Sequence, residues 1–213
     1  MRKSKSASSG TACPAAASPR ERILRAAFGL FMERGFAATS TLDIATAAKV
    51  SKRELYALFR TKEALLGACV EARAEQMRRP VRSVTIRDRE GLTQTLIAFG
   101  TTIVSEVSAP PVIGVYRLAV AESNRSPKIA RLFDKAGRQS NRAALAALLR
   151  QAQALHLVVP RDADELAGRF FALLWEDLLL RLLLRLAKRP APAEAEQRAR
   201  AATDEFLKLY GTA

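Results

Sequence analysis

Apolar residues recur at helical spacing along almost the whole chain, and no long window alternates apolar with polar residues. A strand needs a period of two and a helix one near 3.6, so the pattern restricts the chain to an all-α fold. Punctuation residues divide it into about nine helices. Ser18-Pro19-Arg20-Glu21 reads as a capping box with proline in the first turn. Ile23, Ala27, Leu30 and Phe31 then share a face, and Gly35 ends the helix as a left-handed cap. A second, short helix covers about 42–48. Ser51-Lys52-Arg53-Glu54, another capping box, opens a third over about 52–59. Thr61 caps a fourth, expected to stop near Pro80 because the residue before proline avoids helical angles. Residues 80–90 then read as a linker.

Longer helices follow. Leu92, Leu96, Phe99, Ile103 and Val107 mark the fifth, and residues 111–122 the sixth. Ser126-Pro127 caps a seventh, with Ile129, Leu132, Phe133 and Ala136 on its apolar side. Gly137, Ser140 and Asn141 are placed to bend it. Asp162 with Glu165 opens an eighth, expected to run unbroken to about 187. Pro190 and Pro192 precede a ninth at about 193–210. The chain therefore divides into a basic tail at 1–17 expected to be disordered, a small head at 18–66 and a body at 67–213.

Composition narrows the function. Among 213 residues there are 35 Lys+Arg against 21 Asp+Glu, a formal net charge of +14. Such a balance favours a polyanionic partner, nucleic acid or an acidic surface. Residues 1–79 carry 15 basic and 7 acidic residues, so just over a third of the chain holds more than half the net charge. That asymmetry favours a nucleic-acid head over a uniformly basic membrane binder. One histidine, His156, and two cysteines, Cys13 and Cys69, leave no closed zinc site, catalytic triad or disulfide framework. No cofactor or metal is expected. The apolar stretch from Phe170 to Leu186 contains Glu176, Asp177, Arg181 and Arg185, too many charges for a membrane span. The N-terminus lacks a continuous apolar stretch of the secretory kind, so a cytoplasmic location is expected.

The informative segment is TLDIATAAKVSKRELYALFRTK, residues 41–62. Two short helices joined by a three-to-four-residue turn fit a helix-turn-helix. Ile44, Ala48, Val50, Leu55 and Leu58 fall where the two helices must pack, and Ala45 is small where they cross. Lys52, Arg53 and Lys62 sit in first turns of helices, where cations oppose the helix dipole at a cost of a few tenths of a kcal/mol, on the order of 0.3. A docking phosphate would reverse that cost.

Residues 20–66 strongly resemble the DNA-binding head of the tetracycline-repressor (TetR) family. The matching residues are Ile23-Leu24, Ala26-Ala27, Leu30-Phe31, Gly35-Phe36, Thr41, Ile44-Ala45, Val50-Ser51, Leu55-Tyr56, Phe59 and Lys62-Glu63. The rest of the chain resembles the family's divergent bodies only in the number and length of its helices. The resemblance implies a homodimer that binds double-stranded DNA at a palindromic operator and responds to a small-molecule effector, with repression as the usual outcome. It implies that Thr41, Tyr56 and Lys62 hold backbone phosphates, and that Lys52, Arg53 and Ala57 face the major groove beside Ser51. Lys49 stands where the family usually has glycine in the turn. A left-handed lysine there costs roughly 1 kcal/mol, and its side chain is placed to add a phosphate contact. Glu54 either accepts from a base or only completes the cap on Ser51.

In the body, the eighth helix is apolar on more than one face. Leu178, Leu179 and Leu182, with Ala195, Ala199, Ala202 and Phe206 of the ninth, are expected to form a dimer interface; the alternative is that both helices fill the chain's own core. Phe99, Ile103, Tyr116, Phe133, Phe170 and Trp175 are candidates for a pocket taking an apolar or aromatic effector. A protein that coats DNA without sequence preference and an all-α enzyme are the competing classes. The large apolar body argues against the first, and the lack of any catalytic motif against the second.

Overall fold

The computed structural model describes residues 17–82, 84–121, 123–124 and 127–212. The basic tail, with Arg2, Lys3, Lys5 and Cys13, lies outside them up to residue 16, as does the cap residue Ser126. Eleven α-helices and one π-helical turn make up the described chain. They are α1 (Pro19–Arg34), α2 (Thr41–Ala48), α3 (Lys52–Leu58), α4 (Lys62–Arg82), α5 (Arg89–Val107), α6 (Pro110–Ala121), α7 (Pro127–Phe133), the π turn (Asp134–Gln139), α8 (Ser140–Ala154), α9 (Ala163–Trp175), α10 (Leu178–Leu183) and α11 (Pro192–Tyr210). No strand is present among the described residues; Val158 and Gly211 form an isolated bridge.

The predicted caps form. Ser18 and Glu21 bond reciprocally, as do Ser51 and Glu54. Thr61 Oγ1 accepts from the Ala64 amide, Asp162 accepts from the Glu165 amide, and Gly35 takes a positive φ of 84°. The expected bend at Gly137–Ser140 is the π turn, where the Ser140 hydroxyl reaches the carbonyls of Ala136 and Gly137.

Two boundaries differ from expectation. Helix α4 continues through Pro80 to Arg82. Proline in a last turn forfeits one amide donor, while Val81 is buried in the body core and both Arg78 and Arg82 hold Glu75. The predicted eighth helix is broken at Glu176, whose φ is +43°. Arg198 of α11 donates to the Leu174 carbonyl and to the Glu176 carboxylate at 3.3 and 2.9 Å, holding the break open. One turn further on, Arg181 and Asp177 pair at 3.8 Å.

Helix α4 joins two cores. Its first half contributes Leu65, Leu66 and Cys69 to the head, where they pack with Ile23, Phe31, Ile44, Leu55 and Phe59. Its second half contributes Met77 and Val81 to the body. Between them lies a small seam of Val70, Val115, Ala119 and Phe133, against which Phe28 and Met32 of α1 pack. The seam brings α1 against α6.

Most of the residues expected at a dimer interface are used within the chain itself. Ala195, Ala199, Ala202 and Phe206 are buried in the chain's own core, facing α5. Their small side chains do permit close approach, but the neighbour is Gly100 of α5: a Cβ at 100 would stand 3.0 Å from Ala199 Cβ and 3.3 Å from Leu174 Cδ1. Leu178 and Leu182 are buried as well, and Leu179 is half-buried. Leucines stay uncovered in this region at Leu180, Leu184 and Leu186, which are 59%, 58% and 66% exposed, and at Leu209 of α11, which is 54% exposed.

Gly100→Val should therefore destabilise the body by roughly 1–3 kcal/mol by overpacking, read as a lower denaturant midpoint. The Cys69 thiol, buried and pushed up to about 12 by that burial, should stay inert to a thiol reagent in a Cys13→Ser protein until the head unfolds.

Candidate nucleic-acid interface and ligand cavity

The helix-turn-helix is built from three reciprocal caps and one strained residue. Ser40 and Asp43 form the third capping box, at the start of α2, and the Ser40-to-Asp43 spacing is its signal in the sequence. Lys49 ends α2 with φ 53° and ψ 51°, the left-handed conformation that its place in the turn requires. Arg22 of α1 steadies that turn, its Nε donating to the Ala48 carbonyl at 3.1 Å. A cation at a helix C-terminus also meets the negative end of the dipole. Ile44, Ala45, Ala48 and Leu55 close the core between α2 and α3, with Val50 half-buried. Leu58, expected there too, is 46% exposed instead.

The outer face of α3 presents Ser51, Lys52, Arg53, Tyr56 and Ala57 to solvent, with Lys49 exposed beside them. The Tyr56 hydroxyl lies 3.1 Å from the Thr41 hydroxyl, which fixes the ring across the two helices. Lys52 Nζ stands 5.9 Å from the centre of the same ring. Phe59 is core. Glu54 is occupied by its cap: Oε2 accepts from the Ser51 amide at 2.8 Å, and that bond holds its carboxyl below the usual range.

Lys62 is placed differently from expectation. Its ammonium donates to the carbonyls of Phe36 at 2.8 Å and Thr39 at 3.1 Å, and lies 4.4 Å from the Phe36 ring centre. The donors meant for a phosphate hold the loop before α2 in place. The Thr39 hydroxyl, buried in that loop, donates back to the Gly35 carbonyl at 2.8 Å.

A cavity of about 330 Å³ opens between α4, α5, α6, α8 and α9. Of the six predicted residues, Ile103, Tyr116, Phe133 and Trp175 line it. Phe99 and Phe170 do not: both are fully buried behind the wall, packed edge-on against Phe171, which does line it. Burial raises the Tyr116 hydroxyl above its ordinary value. Phe28, Arg73, Arg138, Asn141 and Arg142, none of them among the sequence candidates, line the cavity as well. Arg138, Asn141 and Arg142 recur three and four apart, which places them on one face of a helix; that spacing was readable, but the cavity it faces was not. Phe28 belongs to α1, so one wall of the cavity is a residue of the head. Arg73 of α4 lies over its ring at 5.5 Å. Among the described residues no group of His, Cys, Asp or Glu could hold a metal ion, and no single helix is long and apolar enough to cross a membrane.

Comparison with known proteins finds two family models along the chain. The model for bacterial regulatory proteins of the tetR family matches residues 23–69, and that for the C-terminal domain of AefR-like transcriptional repressors matches residues 94–212, more than half of the chain. The chain belongs to the TetR family. It is similar to the flavonoid-responsive regulator FrrA, with 33% identity over 91% of this chain and 97% of that one, and a TM-score of 0.70. A TetR transcriptional regulator from Agrobacterium tumefaciens is 28% identical over 92% and 96% of the two chains, with a TM-score of 0.76. A TetR-family regulator from Mesorhizobium loti is 26% identical over 91% and 97%, with a TM-score of 0.75. No curated protein sequence gives a match. As a TetR-family member the chain is a DNA-binding transcriptional regulator, and the proteins it resembles are regulators rather than enzymes.

Two substitutions separate binding from scaffolding on this face. Lys49→Gly should raise stability by about 1 kcal/mol by relieving the left-handed lysine, while weakening DNA binding. Lys62→Met should lower the melting temperature through loss of the loop. The cap carboxylates Glu21, Asp43 and Glu54 are all held low by their serines. Their contribution is complete above the unfolded values of about 4 and lost as pH falls through the lower folded ones. Thermal melts of Glu54→Gln and the wild type should therefore converge in acid and separate near neutrality.

Proposed function

We propose that the chain is a repressor that binds a palindromic operator as a homodimer and is released by a small apolar or aromatic effector held in the body cavity. The observation that carries this reading is the composition of the cavity wall, in which Phe28 of the head and Arg73 of α4 stand beside body residues. A ligand that presses on that wall acts on α1 and α4 directly. Two heads in a dimer must meet major grooves roughly 34 Å apart, so a small displacement of α4 spoils their register.

The division into a head at 18–66 and a body at 67–213 supports this route, since α4 runs across the boundary. Lys52, Arg53 and Ala57 are proposed to face the major groove, where arginine pairs bidentately with guanine. Thr41, Lys49, Ser51 and Tyr56 are proposed to hold phosphates. Exposed Leu180, Leu184 and Leu186 favour cover by a partner subunit. The likeness to a flavonoid-responsive regulator supports an aromatic effector, and the likeness to AefR-like repressors supports repression. Such a protein works in the cytoplasm, beside the DNA it controls.

Fluorescence anisotropy against duplexes from the gene's own upstream region and scrambled controls tests the reading. Tight binding to an upstream duplex alone is expected. Tyr56→Ala should abolish it, and Arg53→Ala should cost about 1–3 kcal/mol at one base position of each half-site. Equal, salt-sensitive binding to all duplexes would instead mark a protein that coats DNA through its charge.

A further inference from the structure

The cavity is one-sided in charge. Arg73, Arg138 and Arg142 line it, and no Asp or Glu does. Two of these cations are offset from behind: Arg138 pairs with Asp134, and Arg73 stands 3.6 Å from Glu106. Arg142 is held otherwise. Its Nε and Nη2 donate to the main-chain carbonyl of Asp164 at 3.0 and 2.7 Å, a neutral acceptor. The Asp164 carboxylate pairs with Arg150 instead. Gly168 of α9 makes room for the guanidinium, since a Cβ there would stand 2.9 Å from Nη2. The Arg73 Nε–H, shut off from solvent, has no acceptor. An apolar wall thus carries one positive charge without a contacting carboxylate among the described residues, and one unmet donor.

We propose that the cavity takes an aromatic acid, its carboxylate received by Arg142 and Arg73 and its rings packed among Phe28, Ile103, Phe171 and Trp175. The proposal rests on the effector reading above and specifies its ligand class. Charge-assisted hydrogen bonds are roughly twice as strong as neutral ones. A neutral ligand would bury the Arg142 charge without compensating it. A volume of about 330 Å³ suits a body of two or three rings.

Isothermal titration of the full-length protein at about pH 7.5, where a carboxylate is ionised, compares biphenyl-4-carboxylate, biphenyl-4-carboxamide and 4-hydroxybiphenyl. The carboxylate should bind at least about tenfold more tightly than the carboxamide. Arg142→Gln should abolish that preference and Arg142→Lys should retain part of it. Arg73→Gln serves as a second variant if Arg142→Gln does not fold. Equal affinity for carboxylate and carboxamide, or tightest binding of 4-hydroxybiphenyl, overturns the proposal and leaves the cavity a binding site. Failure of all three probes to bind the folded protein overturns both the proposal and the effector reading.

Discussion

The structure depends on α4 serving two cores at once. At 21 residues it is roughly 31 Å long. A head of about 50 residues is marginal by itself, and here Leu65, Leu66 and Cys69 of α4 complete its interior. The same helix supplies Met77 and Val81 to the body. Its C-terminal half is pinned by a buried guanidinium: Arg78 pairs with Glu71 and Glu75 on α4 and donates to Ser140 of α8. A helix held in this way transmits displacement as a rigid element, since close-packed interfaces shift between discrete arrangements rather than deform smoothly.

The seam between head and body follows from the same constraint. Met32 of α1 lies close to Gly114 of α6, where a Cβ would stand 3.4 Å from its Sδ. Phe28 shares its ring between the seam and the cavity. Arg73 then links three parts: the Phe28 ring in the head, Glu106 on α5 and the cavity itself. Any occupant of the cavity competes for contacts that also position α1.

Much of this was legible in the chain because its signals are local. Capping boxes at Ser18 and Ser51, the stop at Gly35, the left-handed Lys49 and the bend near Gly137 depend on residues within a turn of one another, and each appears in the structure. What failed depends on which distant element arrives. The alanine stripe of α11 announces close approach but not the identity of its neighbour, which is α5. Lys62 at a helix start reads as a phosphate ligand, yet the carbonyls it holds come from residues 36 and 39. The break at Glu176 is bridged by Arg198, 22 residues further on. Aromatic residues were found as pocket candidates while the arginines were passed over, because an arginine in a helix ordinarily reads as solvated surface.

The central claim, that the cavity and the head share one wall, is tested without knowledge of any effector by filling the cavity from within. Ile103→Trp places extra volume in the cavity that this wall closes, and Ile103 is no part of the proposed DNA face. With helix content unchanged by circular dichroism, the account predicts at least about tenfold weaker binding to a duplex that the wild-type protein selects from a random pool, which is about 1.4 kcal/mol. A folded Ile103→Trp protein that binds this duplex as tightly as the wild type would contradict it.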